Sequence, residues 1–185
     1  MGQPKNVAIV VGSLRKAAFT RKLAQALPAL APASLKLSIV EIGDLALYNE
    51  DLEADIPPAW KRFREEIRAV DAVLFITPEY NRSVPGGLKN AIDVGSRPYG
   101  QSVWSGRPAG VMSLSPGALA AFGANHALRQ SFVFLDMPVL QQPECYLGNA
   151  AKLFDASGAI ATDETRAFLR KFLEAFAGWV EKNAR

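Results

Sequence analysis

The 185-residue sequence contains a single cysteine, Cys145, and a single histidine, His126. One cysteine excludes an internal disulfide, which fits a reducing compartment. One cysteine and one histidine together cannot form a Cys/His zinc site. We expect Cys145 to be a buried, small apolar side chain, and His126 to have a capping or interface role.

Long apolar runs are also missing, because no stretch approaches the ~18 residues that a membrane-spanning helix needs. The N-terminal segment has neither a long apolar core nor a small-residue cleavage site, so we expect no signal peptide, no membrane insertion and a cytoplasmic protein. The net charge is only +3, and the basic residues are scattered. A nucleic-acid-binding protein usually has a denser basic patch, so we expect no nucleic-acid partner.

The two commonest nucleotide-binding fingerprints are absent as well. Neither G-x-x-x-x-G-K-[ST] nor G-x-G-x-x-G occurs in the chain. A single phosphate group is therefore easier to accommodate than a triphosphate or a pyrophosphate.

The sequence does contain a regular alternation of apolar strands and amphipathic helices. The predicted strands are Val7–Val11, Leu35–Ile42, Ala72–Thr77, Ala109–Ser115 and a fifth near Met137–Leu140. The predicted helices are Phe19–Leu30, Pro57 or Pro58 to Val70, Gly87–Gly95, Ala118–Phe132 and Asp163–Lys182. Continuous apolar strands between helices indicate a parallel sheet covered on both faces. We predict one α/β domain, residues 1–185, with a flavodoxin-like, doubly wound five-stranded sheet in the order 2-1-3-4-5.

Two finer predictions follow from the same patterns. The mixed alternation of the second strand indicates an edge position. The last helix carries an apolar stripe at helical spacing, which we expect to face the core; its members are Phe168, Phe172, Phe176, Trp179 and Val180.

In such sheets, ligands bind beyond the carboxyl ends of the strands, at the switch point between strands one and three. The loop after strand one, Gly12–Thr20, offers Ser13, Arg15, Lys16 and Thr20 beside a helix N-terminus. Backbone N–H groups at such a terminus suit a phosphate. The alternative is that Ser13 and Thr20 only cap the helix, while Arg15 and Lys16 are solvated.

The loop after strand three begins the stretch TPEYNRSVPGGLKNAID, Thr77–Asp93. Pro78 forces Thr77 to be extended and ends the strand. Glu79, Tyr80 and Asn81 would then present backbone amides and carbonyls to the edge of a flat heterocycle, unless the segment is only a well-made turn. The loop after strand four, Ser113–Gly123, places hydroxyls and glycine where the ring's other edge would arrive.

These motifs carry a resemblance that covers about residues 5–180. G-S-x-R after strand one and P-E-Y-N-x-S-x-P-G-x-L-K-N-x-I-D after strand three resemble the NADPH-dependent FMN reductase family, and closely its bacterial quinone and chromate reductase branch. The resemblance implies bound FMN as cofactor and NAD(P)H as co-substrate. It implies hydride transfer from NAD(P)H to FMN, and then to a quinone or a similar small acceptor such as chromate, an azo or a nitro compound, by a ping-pong mechanism. The flavin N5 carries the chemistry, so neither a catalytic side chain nor a metal is expected.

The resemblance also assigns site residues. Those at the FMN phosphate are Ser13, Arg15, Phe19 and Thr20. Those along the isoalloxazine ring are Pro78, Glu79, Tyr80 and Asn81, and those at its other edge are Ser113, Ser115 and Gly117. The sequence departs from the family pattern in having Ala18 where Ser is frequent and Thr20 where Asn is frequent. Arg82 stands where a close relative has an aromatic residue, and the third loop, PGALAAFG, has less glycine than is frequent in relatives. Arg82 and Phe122 are therefore candidates for controlling substrate access.

Members of the family are dimers or tetramers with FMN at the subunit interface, which implies a homodimer or homotetramer here. Candidate contacts are Tyr99, Trp104 and Phe122, with Arg82, His126, Arg129 and Glu144 as polar candidates. Three other functions stay open: an electron-carrier flavodoxin, a reductase that releases reduced FMN to a partner, and a regulatory scaffold. The positive net charge argues against a flavodoxin carrier, and the intact loops argue against a scaffold.

Overall fold

The computed structural model describes residues 3–184, so residues 1, 2 and 185 of the predicted domain lie outside the described residues. The strands are β1 (Lys5–Val11), β2 (Leu35–Val40), β3 (Ala72–Thr77), β4 (Ala109–Leu114) and β5 (Cys145–Leu147). The α-helices are α1 (Phe19–Ala26), α2 (Pro58–Arg68), α3 (Gly86–Ser96), α4 (Phe122–Phe134) and α5 (Asp163–Asn183). All strand pairs are parallel and the order is β2-β1-β3-β4-β5. The predicted flavodoxin-like topology is therefore confirmed, with β2 at one edge.

Successive residues of each strand point to opposite faces of the sheet, as β geometry requires. In β1, Val7, Ile9 and Val11 pack with α1 and α5, whereas Ala8 and Val10 pack with α2, α3 and α4. Strands β3 and β4 are buried along their whole length. This explains why their sequences are continuous apolar runs rather than alternating ones.

The apolar stripe of α5 faces the core as predicted. Phe172, Phe176 and Val180 are buried, and Phe168 and Trp179 are partly buried against the same cluster. Burial of each large apolar side chain contributes about 1.5–3 kcal/mol to folding. Cys145 is fully buried beside them in the same cluster, as expected.

The expected subunit contact through Trp104 is wrong. Its side chain is fully buried and lies against Phe63 and Phe75. The indole Nε1 donates a hydrogen bond to the carbonyl oxygen of Ile92 at 2.9 Å. Trp104 therefore belongs to the core between the sheet and α2 and not to an exposed surface.

The fifth strand lies later in the chain than Met137–Leu140. That segment does approach the sheet, because Ala109 N donates to Pro138 O at 2.9 Å and Leu140 N donates to Ala109 O at 2.8 Å. It makes only an isolated bridge through Val139. The continuous pairing with β4 is made by Cys145–Leu147 instead. Proline at 138 lacks the N–H that a longer ladder would need.

Two predicted helix boundaries were also wrong. After Ala26 the chain tightens into a 3₁₀ turn over Leu27–Ala29, with Pro28 in its first turn. Helix α4 begins at Phe122 rather than Ala118, since Ala120 and Ala121 adopt left-handed backbone angles with φ of 53° and 59°. Left-handed residues cannot belong to a right-handed helix.

Candidate active site

The loop between β1 and α1 is held close to the loop after β3. A Cβ added at Gly12 would lie 3.0 Å from Leu88 and 3.1 Å from Pro78, so a larger residue would press these side chains apart. Ser13 is nearly buried, and its hydroxyl accepts a hydrogen bond from Arg15 N at 3.4 Å. Arg15 itself is exposed. The strand-to-helix turn therefore presents one hydroxyl and one cation at the same place.

The N-terminus of α1 lacks a side-chain cap. Its capping residue is Ala18, which is extended and has no hydroxyl to offer the first-turn N–H groups. Thr20, in that first turn, is only 2% exposed. Its Oγ1 has no hydrogen-bond partner among the described residues.

An unpartnered buried hydroxyl costs about 1–3 kcal/mol, so a bound ligand or an ordered water is expected to satisfy it. Free first-turn N–H groups, the Thr20 hydroxyl and the Arg15 guanidinium are all hydrogen-bond donors. Such a donor set suits a phosphate monoester. The residues present therefore fit the phosphate group of FMN.

The loop after β3 forms a two-residue hairpin turn. Tyr80 N donates to Ser83 O at 3.1 Å, and Ser83 N donates to Tyr80 O at 3.0 Å. Asn81 and Arg82 between them have φ of 50° and 64°. Asparagine tolerates this left-handed conformation better than arginine. The Tyr80 hydroxyl lies 3.3 Å from Ser13 Oγ, which ties this loop to the β1–α1 loop.

Glu79 links the same loop to α4. Its Oε2 accepts a hydrogen bond from Ala124 N at 3.1 Å, so the carboxylate caps the first turn of the helix. Its Oε1 lies 3.3 Å from Arg82 NH1. A Cβ at Gly123 would lie 2.9 Å from both Glu79 Oε2 and Arg82 O, so glycine is required for this contact. No pattern in the sequence indicates this structural role of Glu79.

The loop after β4 supplies the third wall. Ser115 N donates to Leu147 O at 3.2 Å, and Ser115 Oγ donates to Gly117 O at 3.1 Å. Ser113 is different, because it is fully buried and its hydroxyl is hydrogen-bonded to Asn125 Nδ2 and Cys145 O. Its side chain therefore stabilises the contact of β4 with α4 and β5 beneath the loop.

The three loops meet in an open cleft of about 180 Å³ at the carboxyl ends of β1, β3 and β4. Eight predicted site residues line it: Ser13, Arg15, Phe19, Thr20, Pro78, Glu79, Tyr80 and Ser115. Asn81, Ser113 and Gly117 do not line it, nor do Arg82 and Phe122. Ala18, Leu114 and Pro116 complete the lining. Of these three residues, Pro116 could have been predicted from the sequence, because it lies between the assigned residues Ser115 and Gly117.

Comparison with known proteins agrees with this geometry. The family model for NADPH-dependent FMN reductases matches residues 5–152. The chain belongs to the NADPH-dependent FMN reductase family. It is 68% identical over 184 residues to a quinone reductase from Pseudomonas putida, covering 99% of this chain and 98% of the relative. It is 43% identical over 174 residues to a 2-hydroxy-1,4-benzoquinone reductase from a Burkholderia species, covering 94% and 95%.

A solved structure is similar along the whole chain. The flavoenzyme NAD(P)H:(acceptor) oxidoreductase from Paracoccus denitrificans superposes with a TM-score of 0.92 at 43% identity, covering 98% of this chain and 100% of that one. The predicted family is thus confirmed. As a member of the FMN reductase family, the protein is an oxidoreductase that uses FMN and NAD(P)H.

In this FMN reductase, a polar and aromatic cluster lies beside the cleft loops. Phe122 packs against His126 and Tyr146, with ring centroids 4.3 and 5.4 Å away. His126 Nε2 lies 2.9 Å from the Tyr146 hydroxyl, which donates a hydrogen bond to Glu144 Oε1 at 2.8 Å. Burial, together with the Glu144 carboxylate, raises the pKa of Tyr146 to about 12. The interface role expected for His126 and Glu144 stays a prediction.

Among residues 3–184, no three His, Cys, Asp or Glu side chains are grouped so that they could hold a metal ion. No helix in that part of the chain is both long and apolar enough to cross a bilayer.

Proposed function

We propose that this FMN reductase is an NAD(P)H-dependent quinone reductase that works from FMN bound in the cleft. The observation that carries the proposal is the buried hydroxyl of Thr20, which has no hydrogen-bond partner within residues 3–184 and lies at the N-terminus of α1, in a cleft formed by three strand-end loops. The relatives named quinone reductases support the choice of acceptor. Chromate, azo and nitro compounds are secondary acceptors in this proposal.

Each wall of the cleft has its own task. Ser13, Arg15 and Thr20, with Phe19 beside them, bind the phosphate. The backbone of Pro78–Asn81 and the ring of Tyr80 orient the isoalloxazine, and Ser115 and Gly117 lie at its other edge. Ser113 acts from beneath, by fixing the loop after β4. Bound FMN would supply the redox chemistry, which is the transfer of two electrons from NAD(P)H to the acceptor.

We propose a ping-pong mechanism in which NAD(P)H and the quinone use the same open cleft in turn. Arg82, at the exposed hairpin turn, and Phe122, at the start of α4, border the approach and influence which acceptors enter. Parallel double-reciprocal plots at several quinone concentrations would support the ping-pong order, and intersecting plots would contradict it.

We also propose a homodimer or homotetramer with FMN near the subunit interface. A cleft of about 180 Å³ is smaller than the ~300–1,000 Å³ of most small-molecule sites. Large apolar side chains around it are exposed, namely Leu14, Tyr80, Leu119 and Phe122. A partner subunit that covered this rim would both enclose the flavin and bury those side chains. Light scattering after size exclusion would test the assembly, and a monomeric mass would contradict it.

We further propose that residues 1–185 form one domain that acts in the cytoplasm. The lone cysteine, buried in the core, supports a reducing compartment because no disulfide contributes to stability. Fractionation of cells into periplasmic and cytoplasmic contents would check this location.

The decisive experiment is the visible spectrum of the purified protein, followed by anaerobic NADPH addition and then a quinone. A yellow protein that bleaches with NADPH and recolours with quinone supports a quinone reductase. Bleaching with loss of the flavin on gel filtration would favour a reductase that releases reduced FMN. Flavin that no nicotinamide reduces would favour an electron carrier, and failure to take up FMN would exclude the site.

A further inference from the structure

A second concavity, about 800 Å³ in volume, lies between α1 and the start of α5. We call it the basic groove. Its α1 side is formed by Lys22, Gln25, Ala26, Ala29 and Leu30, and its opposite side by residues 156–160 with Arg166 and Arg170. None of the cleft residues lines it, so the two concavities are distinct.

The lining of the groove has one sign of charge. Lys22, Arg166 and Arg170 are cations, and no aspartate or glutamate is among the lining residues. Arg166 is paired with Asp163 from outside the groove, at 2.6 Å. Arg170 lies one helical turn further along α5 and is exposed. Arg166 also donates a hydrogen bond to the carbonyl oxygen of Ile160. Lys22 and Arg170, on facing walls, are therefore the cations available to a phosphate group, which arginine binds through paired N–H donors.

Most of the remaining lining is apolar, with Gln25 and Ser157 as the polar exceptions. Ala26, Ala29 and Leu30 supply aliphatic surface on the α1 side of the groove. A concavity that combines aliphatic walls with a few convergent charged groups is typical of a small-molecule site. A nucleotide phosphate with its base meets both requirements, whereas a free inorganic anion would leave the apolar walls unused.

An aromatic pair, Phe19 and Phe154, lies between the cleft and a residue of the groove lining. Phe19 lines the cleft and stacks on Phe154, with ring centroids 6.3 Å apart and planes 2° apart. Phe154 pairs with Ile160, which lines the groove, and Lys22 Nζ lies 5.9 Å from the centre of the Phe19 ring. From Lys22 to Ala29 the groove runs about 10 Å along the chain. A dinucleotide that crossed this aromatic pair would reach both concavities.

We propose that the basic groove binds the adenosine end of NADPH, with Arg170 and Lys22 holding its 2′-phosphate. This inference rests on the proposed function, since it assigns the far end of the nicotinamide co-substrate whose reactive ring enters the cleft. It also makes NADPH the preferred donor, because NADH lacks the group that the cations bind.

The test uses FMN-loaded protein and the probe 2′,5′-ADP, measured by calorimetry without turnover. Arg170→Ala is compared with Lys171→Ala, which removes the same charge from the next, exposed position outside the groove lining. Loss of one charge-assisted contact should raise the dissociation constant of 2′,5′-ADP about tenfold or more. The ratio of kcat/KM for NADPH to that for NADH should fall by a similar factor. Lys171→Ala should change both quantities by no more than about twofold.

Other results would overturn the inference. Equal affinity of the wild-type protein for 5′-AMP and 2′,5′-ADP would show that the 2′-phosphate is not recognised. Equal displacement of the probe by inorganic phosphate, or equal effects of the two substitutions, would indicate only general attraction of anions. If neither nicotinamide reduces the flavin, the proposed function itself fails. If both do and Arg170→Ala keeps the wild-type preference, only the basic groove is excluded.

Discussion

The carboxylate of Glu79 accepts a hydrogen bond from the backbone N–H of Ala124 at 3.1 Å. This contact joins the loop after β3 to the first turn of α4, across the side of the cleft. The side chain of Glu79 is only 12% exposed, although the residue lies in a loop. The residue that the family motif places along the flavin is thus also the cap of a helix, so the cleft wall and the helix stabilise each other.

We expect Glu79→Ala to lower the stability of the protein without FMN by about 1 kcal/mol, because α4 loses its cap. For a chain of this length the melting temperature should fall by about 2–4 °C. Glu79→Gln keeps an oxygen acceptor and should recover most of the loss. The lost ion pair with Arg82 should matter little, since Arg82 is largely exposed. Equal melting temperatures for Glu79→Ala and the wild type in scanning calorimetry would show that the Glu79 cap does not contribute to stability.

Thr20→Val should separate flavin binding from stability. The hydroxyl of Thr20 is buried without a partner among the described residues, so its replacement by a methyl group should leave the apoprotein as stable or more stable, by up to about 1 kcal/mol. The FMN dissociation constant should rise about tenfold or more, since a contact to a charged phosphate is lost.

Riboflavin is the control ligand for Thr20, because it has the same ring system without the phosphate. Its affinity, measured by quenching of flavin fluorescence, should differ by no more than about twofold between Thr20→Val and the wild type. Thr20→Ser, which retains the hydroxyl, should bind FMN much as the wild type does. Parallel losses of FMN and riboflavin affinity would place the phosphate elsewhere.

The topology of the sheet could be predicted from the sequence because β1, β3 and β4 are buried on both faces and read as unbroken apolar runs. The fifth strand could not. Met137–Leu140 is apolar and does touch Ala109, but the length of its pairing depends on tertiary contacts and on the prolines at 138 and 143. The strand propensity of four residues cannot distinguish a segment that forms an isolated bridge from one that forms a three-residue strand.

The site was predictable at the level of loops and less so at the level of side chains. Ser13, Thr20 and Tyr80 line the cleft, because topology brings the strand ends together whatever their contacts. Ser113 was assigned to the same surface, yet its side chain points into the core. It is the last residue but one of β4, where side chains alternate between faces, and a shift of one position decides which side it faces.

Arg82→Gly should stabilise the protein. Arg82 has φ of 64° in the hairpin turn after Asn81, and left-handed angles cost a non-glycine residue about 1 kcal/mol. The substitution produces Asn-Gly, the pair that such two-residue turns favour. Arg82→Ala is the control, since it removes the same ion pair with Glu79 but keeps the unfavourable angle. In urea unfolding, the glycine variant should exceed the alanine variant by about 1 kcal/mol, and the reverse order would contradict the turn assignment.

Tyr146 should ionise at a higher pH than an ordinary tyrosine, because burial and the nearby Glu144 carboxylate raise its pKa to about 12. The chain has four tyrosines, so the signal of Tyr146 must be isolated. Subtracting the tyrosinate absorbance of Tyr146→Phe from that of the wild type gives the absorbance of Tyr146 alone. The difference should titrate near pH 12 in the folded protein and near the ordinary value of about 10 in urea. Since the folded-state pKa is the higher one, the stabilisation from this group is complete below pH ~10 and is lost as pH rises from there toward 12. The free energy of unfolding of the wild type should therefore fall more steeply than that of Tyr146→Phe over this range. Two results together would contradict this prediction: equal slopes of unfolding free energy against pH, and a difference spectrum that titrates near pH ~10 both before and after urea is added. They would show that the hydrogen bond to Glu144 does not perturb Tyr146.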